Sequence, residues 1–417
     1  MKQIKVEGKN KLTGTIKISG AKNSAVALVP ASLLSDEFVS IDNIPNISDI
    51  EVLKEIIEYL GAKVNMQDDL MKINLKTLVN KPIPKVLAKK LRASYYFMGA
   101  LLGKYKKVEI YFPGGCSIGS RPINLHLKGF EALGAKITEK GEYYLIEADR
   151  LIGNHIYLDI ASVGATINIM LAAVKAEGTT IIENAAKEPE IVNVATFLNN
   201  MGAKITGAGT SEIRIIGVEH LGSCFSEVIP DRIEAGTYII AGALVGDNLK
   251  IDNIIPDHVE SLIFKLKEMG ANLKLESDSL IISATDNLKP VDVKTLVYPG
   301  FPTDLQQPIT TLLTQCNGIS KVEETIYENR FQNVKYLKSM GADITIDEKT
   351  LFIKGKKDLK GKEVVATDLR AGACLILAGL CAEGTTIIKD VEHVLRGYEN
   401  IIEKLQNVGA KIELEEI

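Results

Sequence analysis

The chain has few of the features that mark membrane, secreted or metal-binding proteins. Its longest apolar stretches, such as residues 372–381, are far shorter than the ~20 residues that span a bilayer. Its N-terminus has no apolar run of the kind found in signal peptides. Five cysteines without a close pairing motif, and five histidines that never fall at zinc-ligand spacing, predict free thiols and no metal site. We therefore expect a cytoplasmic protein that spans no membrane.

An excess of charge of one sign is also missing. The formal net charge of -4 over 417 residues gives no indication of a surface for nucleic acid or for anionic membranes. It does not exclude anionic substrates, since a site can be locally basic on an acidic protein. The length exceeds what one compact core accommodates, so two or three domains are expected.

A short glycine signature recurs along the whole chain. In each copy a stretch with apolar residues at helical spacing ends in an apolar residue and a glycine, and short strands follow. Glycine ends a helix because it adopts the left-handed conformation at little cost. The six glycines lie 73, 68, 68, 71 and 68 residues apart, which predicts six copies of one unit. They are Gly61, Gly134, Gly202, Gly270, Gly341 and Gly409.

Each unit contains a second helix that is apolar on nearly every side, as expected of a buried helix. The predicted buried helices are 25–34, 95–102, 167–176, 237–245, 309–316 and 371–382. One unit therefore consists of strand, buried helix, strand, amphipathic helix and two strands. Three units around one axis would place helices inside and sheets outside. The predicted fold class is α/β, with two inside-out α/β barrels of three units each.

A longer repeat divides the six units into two halves. The sequence Ala-Glu-Gly-Thr-Thr-Ile-Ile begins at Ala176 and occurs again 206 residues later, which is three units. The sixth unit ends one strand short, and residues 4–8 resemble the missing strand. We therefore predict an N-terminal domain of residues 21–229 and a C-terminal domain of residues 1–20 plus 230–417, with the active site in the cleft between them.

Polar residues collect where each first strand meets its buried helix. A helix N-terminus presents N–H groups and a partial positive charge, so six converging ends could hold a multiply phosphorylated substrate. Helix capping is the competing interpretation for Ser162, Asp231, Thr303 and Asp368. It does not account for Lys22, Asn23 and Arg92, because the cations oppose the helix dipole unless an anion is bound there.

Cys116 has the most unusual setting of the five cysteines. It lies in the glycine-rich segment 113–122, between a predicted strand and an amphipathic helix, with Arg121 nearby. A thiol close to a helix N-terminus and to an arginine has a lowered pKa, which suits a proton donor or a nucleophile. Cys374 and Cys381 fall within a predicted buried helix and are expected to be core residues.

Ten short motifs spread along the chain carry a family resemblance. They are Gly-Ala-Lys-Asn at 20–23, Leu-Arg-Ala-Ser at 91–94, the cysteine segment at 113–122, Ser-Val-Gly-Ala-Thr at 162–166, Glu-Pro-Glu-Ile at 188–191, Pro-Asp-Arg-Ile-Glu at 230–234, Phe-Pro-Thr-Asp at 301–304, Glu-Asn-Arg-Phe at 328–331, Ala-Thr-Asp-Leu-Arg at 366–370 and Arg-Gly-Tyr-Glu at 396–399. From Lys5 to the C-terminus the sequence resembles the UDP-N-acetylglucosamine 1-carboxyvinyltransferase family of enolpyruvyl transferases.

The resemblance implies an activity and a set of site residues. The activity is transfer of enolpyruvate from phosphoenolpyruvate to the 3'-hydroxyl of UDP-N-acetylglucosamine with release of phosphate, the first committed step of peptidoglycan synthesis, without a cofactor. Cys116 would be the general acid, able to form an adduct with phosphoenolpyruvate and to be alkylated by fosfomycin, and Asp304 the base near the sugar hydroxyl.

Residues implied to bind phosphoenolpyruvate are Lys22, Asn23, Arg121 and Arg396. Residues implied to bind the nucleotide sugar are Arg92, Arg121, Pro122, Ile123, Asn124, Leu125, Ser162, Val163, Gly164, Asp304 and Ile326. Supporting residues are Glu188, Asp231, Arg330, Asp368 and Arg370.

Two positions depart from the family pattern, and two other functions compete. Asn124 stands where the family commonly has aspartate, and Ile160 stands where some members have lysine, so charge is missing on the nucleotide side. One alternative is a transferase like 5-enolpyruvylshikimate-3-phosphate synthase, which lacks the cysteine loop. The other is a non-catalytic repeat scaffold, which would have no unusual polar residues at its helix starts. The sequence predicts no oligomeric state.

Overall fold

The structure is a computed structural model that describes residues 2–112 and 122–416. The fold is a mixed α/β fold, and the described residues divide into two compact units. We name these units the N-domain, residues 20–112 and 122–229, and the C-domain, residues 2–19 and 230–416.

The elements follow the chain in three stretches. The chain begins with two strands of the C-domain, β1 (Lys2–Glu7) and β2 (Leu12–Lys17). The N-domain contains α1 (Lys22–Ser32), β3 (Phe38–Asp42), α2 (Ser48–Tyr59), β4 (Lys63–Gln67), β5 (Leu70–Asn74), α3 (Lys85–Lys90), α4 (Tyr96–Tyr105), β6 (Lys107–Tyr111), α5 (Asn124–Ala132), β7 (Lys136–Lys140), β8 (Tyr143–Glu147), β9 (His155–Tyr157), α6 (Val163–Ala173), β10 (Thr179–Glu183), α7 (Pro189–Asn200), β11 (Lys204–Thr206), β12 (Glu212–Ile216) and β13 (Cys224–Glu227).

The remaining elements complete the C-domain. They are α8 (Arg232–Val245), β14 (Gly246–Asp252), α9 (Glu260–Met269), β15 (Asn272–Leu275), β16 (Ser279–Ser283), β17 (Asp292–Lys294), α10 (Gln306–Leu313), β18 (Ile319–Glu323), α11 (Val334–Ser339), β19 (Asp343–Asp347), β20 (Thr350–Lys354), β21 (Glu363–Val365), α12 (Leu369–Cys381), β22 (Thr385–Lys389), α13 (Glu392–Leu395), α14 (Ile401–Asn407) and β23 (Lys411–Glu416). Short 3-10 helices at Arg92–Tyr95, Pro256–Val259 and Thr303–Leu305 precede α4, α9 and α10.

Among the described residues the strands form six small sheets, three in each domain. The N-domain sheets have the orders β13-β3-β5-β4, β6-β8-β7 and β11-β12-β10-β9. The C-domain sheets have the orders β15-β16-β14-β2, β17-β18-β20-β19 and β21-β22-β1-β23. β1 pairs antiparallel with both β22 and β23, so the predicted use of residues 4–8 as the missing strand of the sixth repeat is confirmed.

The second repeat departs from the predicted pattern because its sheet has three strands within the described chain. Its buried helix is preceded by the short helix α3, which packs against β6, instead of by a parallel strand. Pro82 and Pro84 lie in the segment before α3. Proline has no N–H to donate to a sheet, which explains why this segment does not become a strand.

The two kinds of helix predicted from the sequence are both present. The apolar helices α1, α4, α6, α8, α10 and α12 are buried along almost their whole length, and they pack on one another within each domain. The amphipathic helices end as predicted, because all six signature glycines have a positive φ. The angles are 97° at Gly61, 94° at Gly134, 106° at Gly202, 76° at Gly270, 109° at Gly341 and 101° at Gly409.

Candidate active site

Two of the predicted site residues cannot be placed. Cys116 and Arg121 belong to residues 113–121, which lie outside the described residues. The proposed general acid and one proposed phosphate ligand therefore remain predictions. The other predicted residues fall on described parts of the N-domain or of the C-domain.

In the C-domain, Asp304 is held by two arginines. It lies in the 3-10 helix that leads into α10, and its side chain is 26% exposed. Arg330 Nη2 donates to Asp304 Oδ1 at 2.7 Å, and Arg370 Nη2 donates to Asp304 Oδ2 at 3.0 Å. The side chains of Arg330 and Arg370 are only 2% and 6% exposed. Three residues that the sequence grouped only by family resemblance thus form one cluster.

Each arginine of this cluster is fixed by a further contact. Arg370, in the first turn of α12, donates through Nη1 to the hydroxyl of Tyr398 at 3.0 Å. Arg330 donates through Nη1 to Thr303 Oγ1 at 3.2 Å, and Thr303 donates to Glu324 Oε2 at 2.8 Å. The arginines are therefore held in one orientation relative to Asp304.

The electrostatics of Asp304 follow from this geometry. Burial alone would raise the pKa of Asp304, but the charges and hydrogen bonds of Arg370 and Arg330 lower it well below its usual range. Asp304 is therefore ionised at every physiological pH. It is a strong hydrogen-bond acceptor and, as it stands, a weak base.

Glu324 links the same cluster to Ile326, and the sequence did not single it out. Its side chain is nearly inaccessible, at 1% exposure, and its Oε1 accepts from the backbone N–H of Ile326 at 2.8 Å. Its other oxygen accepts from Thr303. The position of Glu324 directly after β18 gives no signal by itself, because the burial that marks a carboxylate with a specific partner is not visible in the sequence. The predicted sugar contact Ile326 is thus connected to the Asp304 cluster.

Helix capping and anion binding were both considered for four residues at the starts of the buried helices. Three of the four are helix caps. Ser162 Oγ accepts from Ala165 N at 3.3 Å at the start of α6. Asp231 and Asp368 each accept two backbone N–H groups, at 2.8–3.0 Å and at 2.9 Å, at the starts of α8 and α12. Thr303 makes no such cap, and its hydroxyl serves the Asp304 cluster.

Lys22 has a protein partner where the sequence led us to expect a bound anion. Its ammonium forms an ion pair of 2.7 Å with Asp49, whose side chain is 3% exposed, at the start of α2. A protein carboxylate therefore already offsets the lysine charge at the N-terminus of α1, and a bound anion is not required for it. Asn23, the next residue, is exposed in the first turn of the same helix.

A cavity in the N-domain collects four of the predicted nucleotide-sugar residues. Its volume is about 350 Å³. Its lining residues are Arg92, Phe112, Pro122, Ile123, Asn124, Leu127 and Tyr144. Leu125 was also predicted to bind the nucleotide sugar, but its side chain is 8% exposed and packs in the hydrophobic core. Phe112, Leu127 and Tyr144 were missed because their apolar character fits a core position equally well.

Gly164, the third residue of the predicted Ser-Val-Gly contact, packs against a buried histidine. A Cβ at Gly164 would lie 2.9 Å from His126 Cε1 and 3.1 Å from the hydroxyl of Tyr95. The ring of His126 contacts Tyr95 edge to face and hydrogen bonds with Asn168 through Nδ1 at 2.9 Å. Burial, with the nearby charge of Arg92, lowers the pKa of His126 to about 3, so this histidine is neutral.

The remaining predicted residues occupy loop and helix-end positions. Glu188 precedes α7, and Arg396 directly follows α13, where each is partly exposed. Val163 is the first residue of α6. The predicted core role of Cys374 and Cys381 in α12 is confirmed, and burial raises the pKa of these thiols to about 11 and about 12.

In the part of the chain that the structure describes, no helix combines the length and the apolar character that a membrane crossing needs. Over the same residues, histidine, cysteine and carboxylate side chains do not gather in groups of three or more that could bind a metal ion.

Comparison with known proteins identifies close relatives over the full length. The family model of EPSP synthase (3-phosphoshikimate 1-carboxyvinyltransferase) matches residues 6–405. The chain is 55% identical over 413 residues to "UDP-N-acetylglucosamine 1-carboxyvinyltransferase 2" of Geobacillus kaustophilus, covering 99% of this chain and 96% of that protein. It is also 55% identical over 414 residues to the protein of the same name from Bacillus subtilis, with the same coverage.

Solved structures share the fold along the whole chain. The enolpyruvyl transferase NikO from Streptomyces tendae superimposes with a TM-score of 0.90 at 26% identity, covering 99% of both chains. EPSP synthase from Acinetobacter baumannii superimposes with a TM-score of 0.79 over 100% of both chains. The second likeness, at 19% identity, shows the fold alone.

Proposed function

The chain belongs to the EPSP synthase family and, within it, to the UDP-N-acetylglucosamine 1-carboxyvinyltransferases, and on this premise we propose that it transfers enolpyruvate from phosphoenolpyruvate to the 3'-hydroxyl of UDP-N-acetylglucosamine, with release of phosphate. The observation that carries the proposal is the 55% identity with relatives of that name over 99% of the chain. The reaction would serve peptidoglycan synthesis in the cytoplasm. The two domains are proposed to be inside-out α/β barrels of three repeats each.

The proposed acid is Cys116. Enolpyruvyl transfer adds the sugar hydroxyl to the carbon that bears phosphate and carboxylate, and it needs a proton on the adjacent vinyl carbon. A thiol in a glycine-rich segment beside Arg121 is suited to supply that proton. The same thiol is proposed to form an adduct with phosphoenolpyruvate and to be the site that fosfomycin alkylates.

The proposed base is Asp304. Its two arginine partners keep it ionised, so it accepts a hydrogen bond from the 3'-hydroxyl but is too weak to deprotonate a resting alcohol. The hydroxyl becomes acidic only while its oxygen bonds to carbon. We therefore propose that the proton moves to Asp304 as the carbon–oxygen bond forms.

Substrate charge is proposed to be held by cationic side chains. The residues proposed for phosphoenolpyruvate are Lys22, Asn23, Arg121 and Arg396. The ion pair of Lys22 with Asp49 supports a positioned lysine, since a charge held by a buried partner needs no reorganisation when the substrate binds. Cations that face developing negative charge contribute most when they are fixed beforehand.

The nucleotide sugar is proposed to bind chiefly through the N-domain. The cavity lined by Arg92, Pro122, Ile123 and Asn124 supports this assignment, because four residues implied by the family resemblance line one cavity. The other proposed contacts are Arg121, Leu125 through its backbone, Ser162, Val163, Gly164, Asp304 and Ile326. Supporting roles are proposed for Glu188, Asp231, Arg330, Asp368 and Arg370.

The competing functions are a shikimate-type enolpyruvyl transferase and a non-catalytic scaffold. The deciding experiment measures phosphate release from phosphoenolpyruvate with UDP-N-acetylglucosamine, and separately with shikimate 3-phosphate, as acceptor. We expect release with the nucleotide sugar alone. Release only with shikimate 3-phosphate would establish the first alternative, and release with neither acceptor would favour the scaffold.

A further inference from the structure

Two aromatic side chains meet at the end of the three-stranded sheet of the N-domain. Phe112 directly follows β6, and Tyr144 lies in β8, opposite Ile110. Their ring centroids are 4.7 Å apart, with an interplanar angle of 49°. Side chains alternate between the faces of a strand, so Phe112 and Tyr144 share the face of the buried Ile110. Tyr111 and Tyr143 form a separate pair, at 5.6 Å, on the other face.

The Phe112–Tyr144 pair lines the N-domain cavity of about 350 Å³. The other lining residues combine apolar side chains with a cation, Arg92, and a carboxamide, Asn124. This volume is at the lower end of the range of about 300–1,000 Å³ for small-molecule sites. Such a lining suits a planar ring with apolar faces, a hydrogen-bonding edge and an anionic substituent, which is the chemistry of a nucleotide.

We propose that Phe112 and Tyr144 form a stacking wall for the uracil ring of the nucleotide sugar and so determine nucleotide specificity. The inference rests on the proposed function, because the acceptor supplies the uracil. Aromatic side chains stack on nucleobases through their π-faces whatever the charge of the surroundings. The two residues touch the substrate base and take no part in the chemical step.

Two uncharged residues on the nucleotide side of the site favour a role for stacking in nucleotide binding. Asn124 stands where the family commonly has aspartate, and Ile160, where some members have lysine, is exposed. Both changes remove charge from the nucleotide side of the site. The Asn124 carboxamide both donates and accepts hydrogen bonds, which matches the N–H and carbonyl of the uracil edge. Stacking on Phe112 and Tyr144 would give the base a contact that does not depend on those charges.

The absence of tryptophan from the chain allows a direct test. Tyr144→Trp introduces a single tryptophan into the wall, and Tyr143→Trp introduces one on the opposite face of the same strand as a matched control. Each variant is titrated with UMP and with ribose 5-phosphate. We expect UMP, but not ribose 5-phosphate, to quench the fluorescence of the tryptophan at position 144, with no response at position 143. UMP binding detected by calorimetry without quenching at position 144, or no UMP binding at all, would overturn the stacking wall.

Kinetics of smaller substitutions give a second readout that does not depend on tryptophan. Phe112→Leu and Tyr144→Leu are each expected to raise KM for UDP-N-acetylglucosamine about tenfold, the size of effect that loss of one stacked ring produces. KM for phosphoenolpyruvate and kcat should change less than about twofold, and Tyr143→Leu should resemble the wild type. Equal rises in both KM values, or unchanged values in both variants, would contradict the proposal.

The two hypotheses fail in different ways. If the wild type releases phosphate with the nucleotide sugar but UMP leaves the tryptophan at position 144 unquenched, the wall is excluded and the proposed function stands. If UMP quenches that tryptophan but the wild type releases no phosphate, the cavity is a uracil site and the proposed reaction is wrong.

Discussion

The carboxylate of Asp304 accepts a hydrogen bond of 3.0 Å from the guanidinium of Arg370, which lies 66 residues later in the chain. Arg370 starts a buried helix, and its other terminal nitrogen reaches the hydroxyl of Tyr398. The contact therefore ties the proposed base to two further segments of the C-domain. It also decides the charge state of the base, because the arginine lowers the pKa of Asp304.

Replacing this arginine should alter both stability and pH dependence. Arg370→Gln removes one of the two cations, so the pKa of Asp304 rises and the acid limb of kcat/KM moves to higher pH. The sign follows because the active form is the ionised carboxylate, and a higher pKa makes protonation occur at higher pH. The free energy of unfolding should fall by about 3 kcal/mol, since a buried ion pair is broken. pH profiles and urea unfolding measure these two effects.

A matched control separates the buried pair from ordinary surface charge. Lys389 forms a 2.6 Å pair with Glu363, but both side chains are largely exposed. Lys389→Gln should leave the pH profile and the stability close to those of the wild type. An unchanged acid limb in Arg370→Gln would mean that Asp304 is not the group whose ionisation limits activity.

The ion pair of Lys22 with Asp49 allows structural and catalytic roles to be separated. Lys22→Gln removes the ion pair that Lys22 forms with the buried Asp49 and should destabilise the N-domain. The double variant Lys22→Gln/Asp49→Asn should recover most of that stability. Both variants should lose about 100-fold or more in kcat/KM for phosphoenolpyruvate, because a fixed cation is missing. Recovery of activity together with stability would assign Lys22 a structural role only.

His126 should make stability fall on acidification. Its pKa in the folded protein is about 3, below the ordinary value near 6.5, so the unfolded chain binds the proton more readily. Above about pH 6.5 His126 is neutral in both states and does not lower the free energy of unfolding. As the pH falls below this value, the unfolded chain takes up the proton and the folded protein becomes less stable. Between pH 7 and pH 5 the wild type should lose about 2 kcal/mol more than His126→Gln. Urea unfolding of both proteins at both pH values measures the difference.

The signature glycines should differ in their tolerance of alanine within one domain. Gly202 has a φ of 106° and open space around its missing Cβ, so Gly202→Ala should cost about 1–2 kcal/mol from backbone strain alone. At Gly61 the new Cβ would also lie 2.4 Å from the carbonyl oxygen of Thr77. Gly61→Ala should therefore destabilise the N-domain more than Gly202→Ala does. Equal losses in denaturant unfolding would show that the backbone relaxes around Gly61.

Cys116 variants should report on proton donation. Cys116→Ala is expected to abolish turnover, whereas Cys116→Asp should retain part of it because a carboxylic acid can also donate a proton. Fosfomycin should inactivate the wild type and leave Cys116→Asp unaffected. Steady-state phosphate release measures all three. Full activity of the alanine variant would exclude the proton-donor role.

Regular features of the chain were predictable because they depend on local physics. Helix-ending glycines recur at a fixed period, and each adopts the positive φ that only glycine takes cheaply. The buried helices were recognisable because apolar residues cover every side. The strand at residues 4–8 was found by its likeness to equivalent strands, although its partners lie about 380 to 410 residues away. The missing strand of the second repeat was overlooked, although Pro82 and Pro84 signalled it.

Contacts between distant segments could not be predicted from local patterns in the sequence. No local pattern states that Asp49 neutralises Lys22, that two arginines flank Asp304, or that Phe112 meets Tyr144 beside a cavity. Each of these depends on how separate helices and sheets pack together. Residue types along the chain thus decided the repeats, the helix ends and the family, because these follow from backbone preference and periodic burial. The ionisation of Asp304 and the lining of the nucleotide cavity were decided by packing, because charge interactions and stacking depend on distances of a few ångströms between segments far apart in the chain.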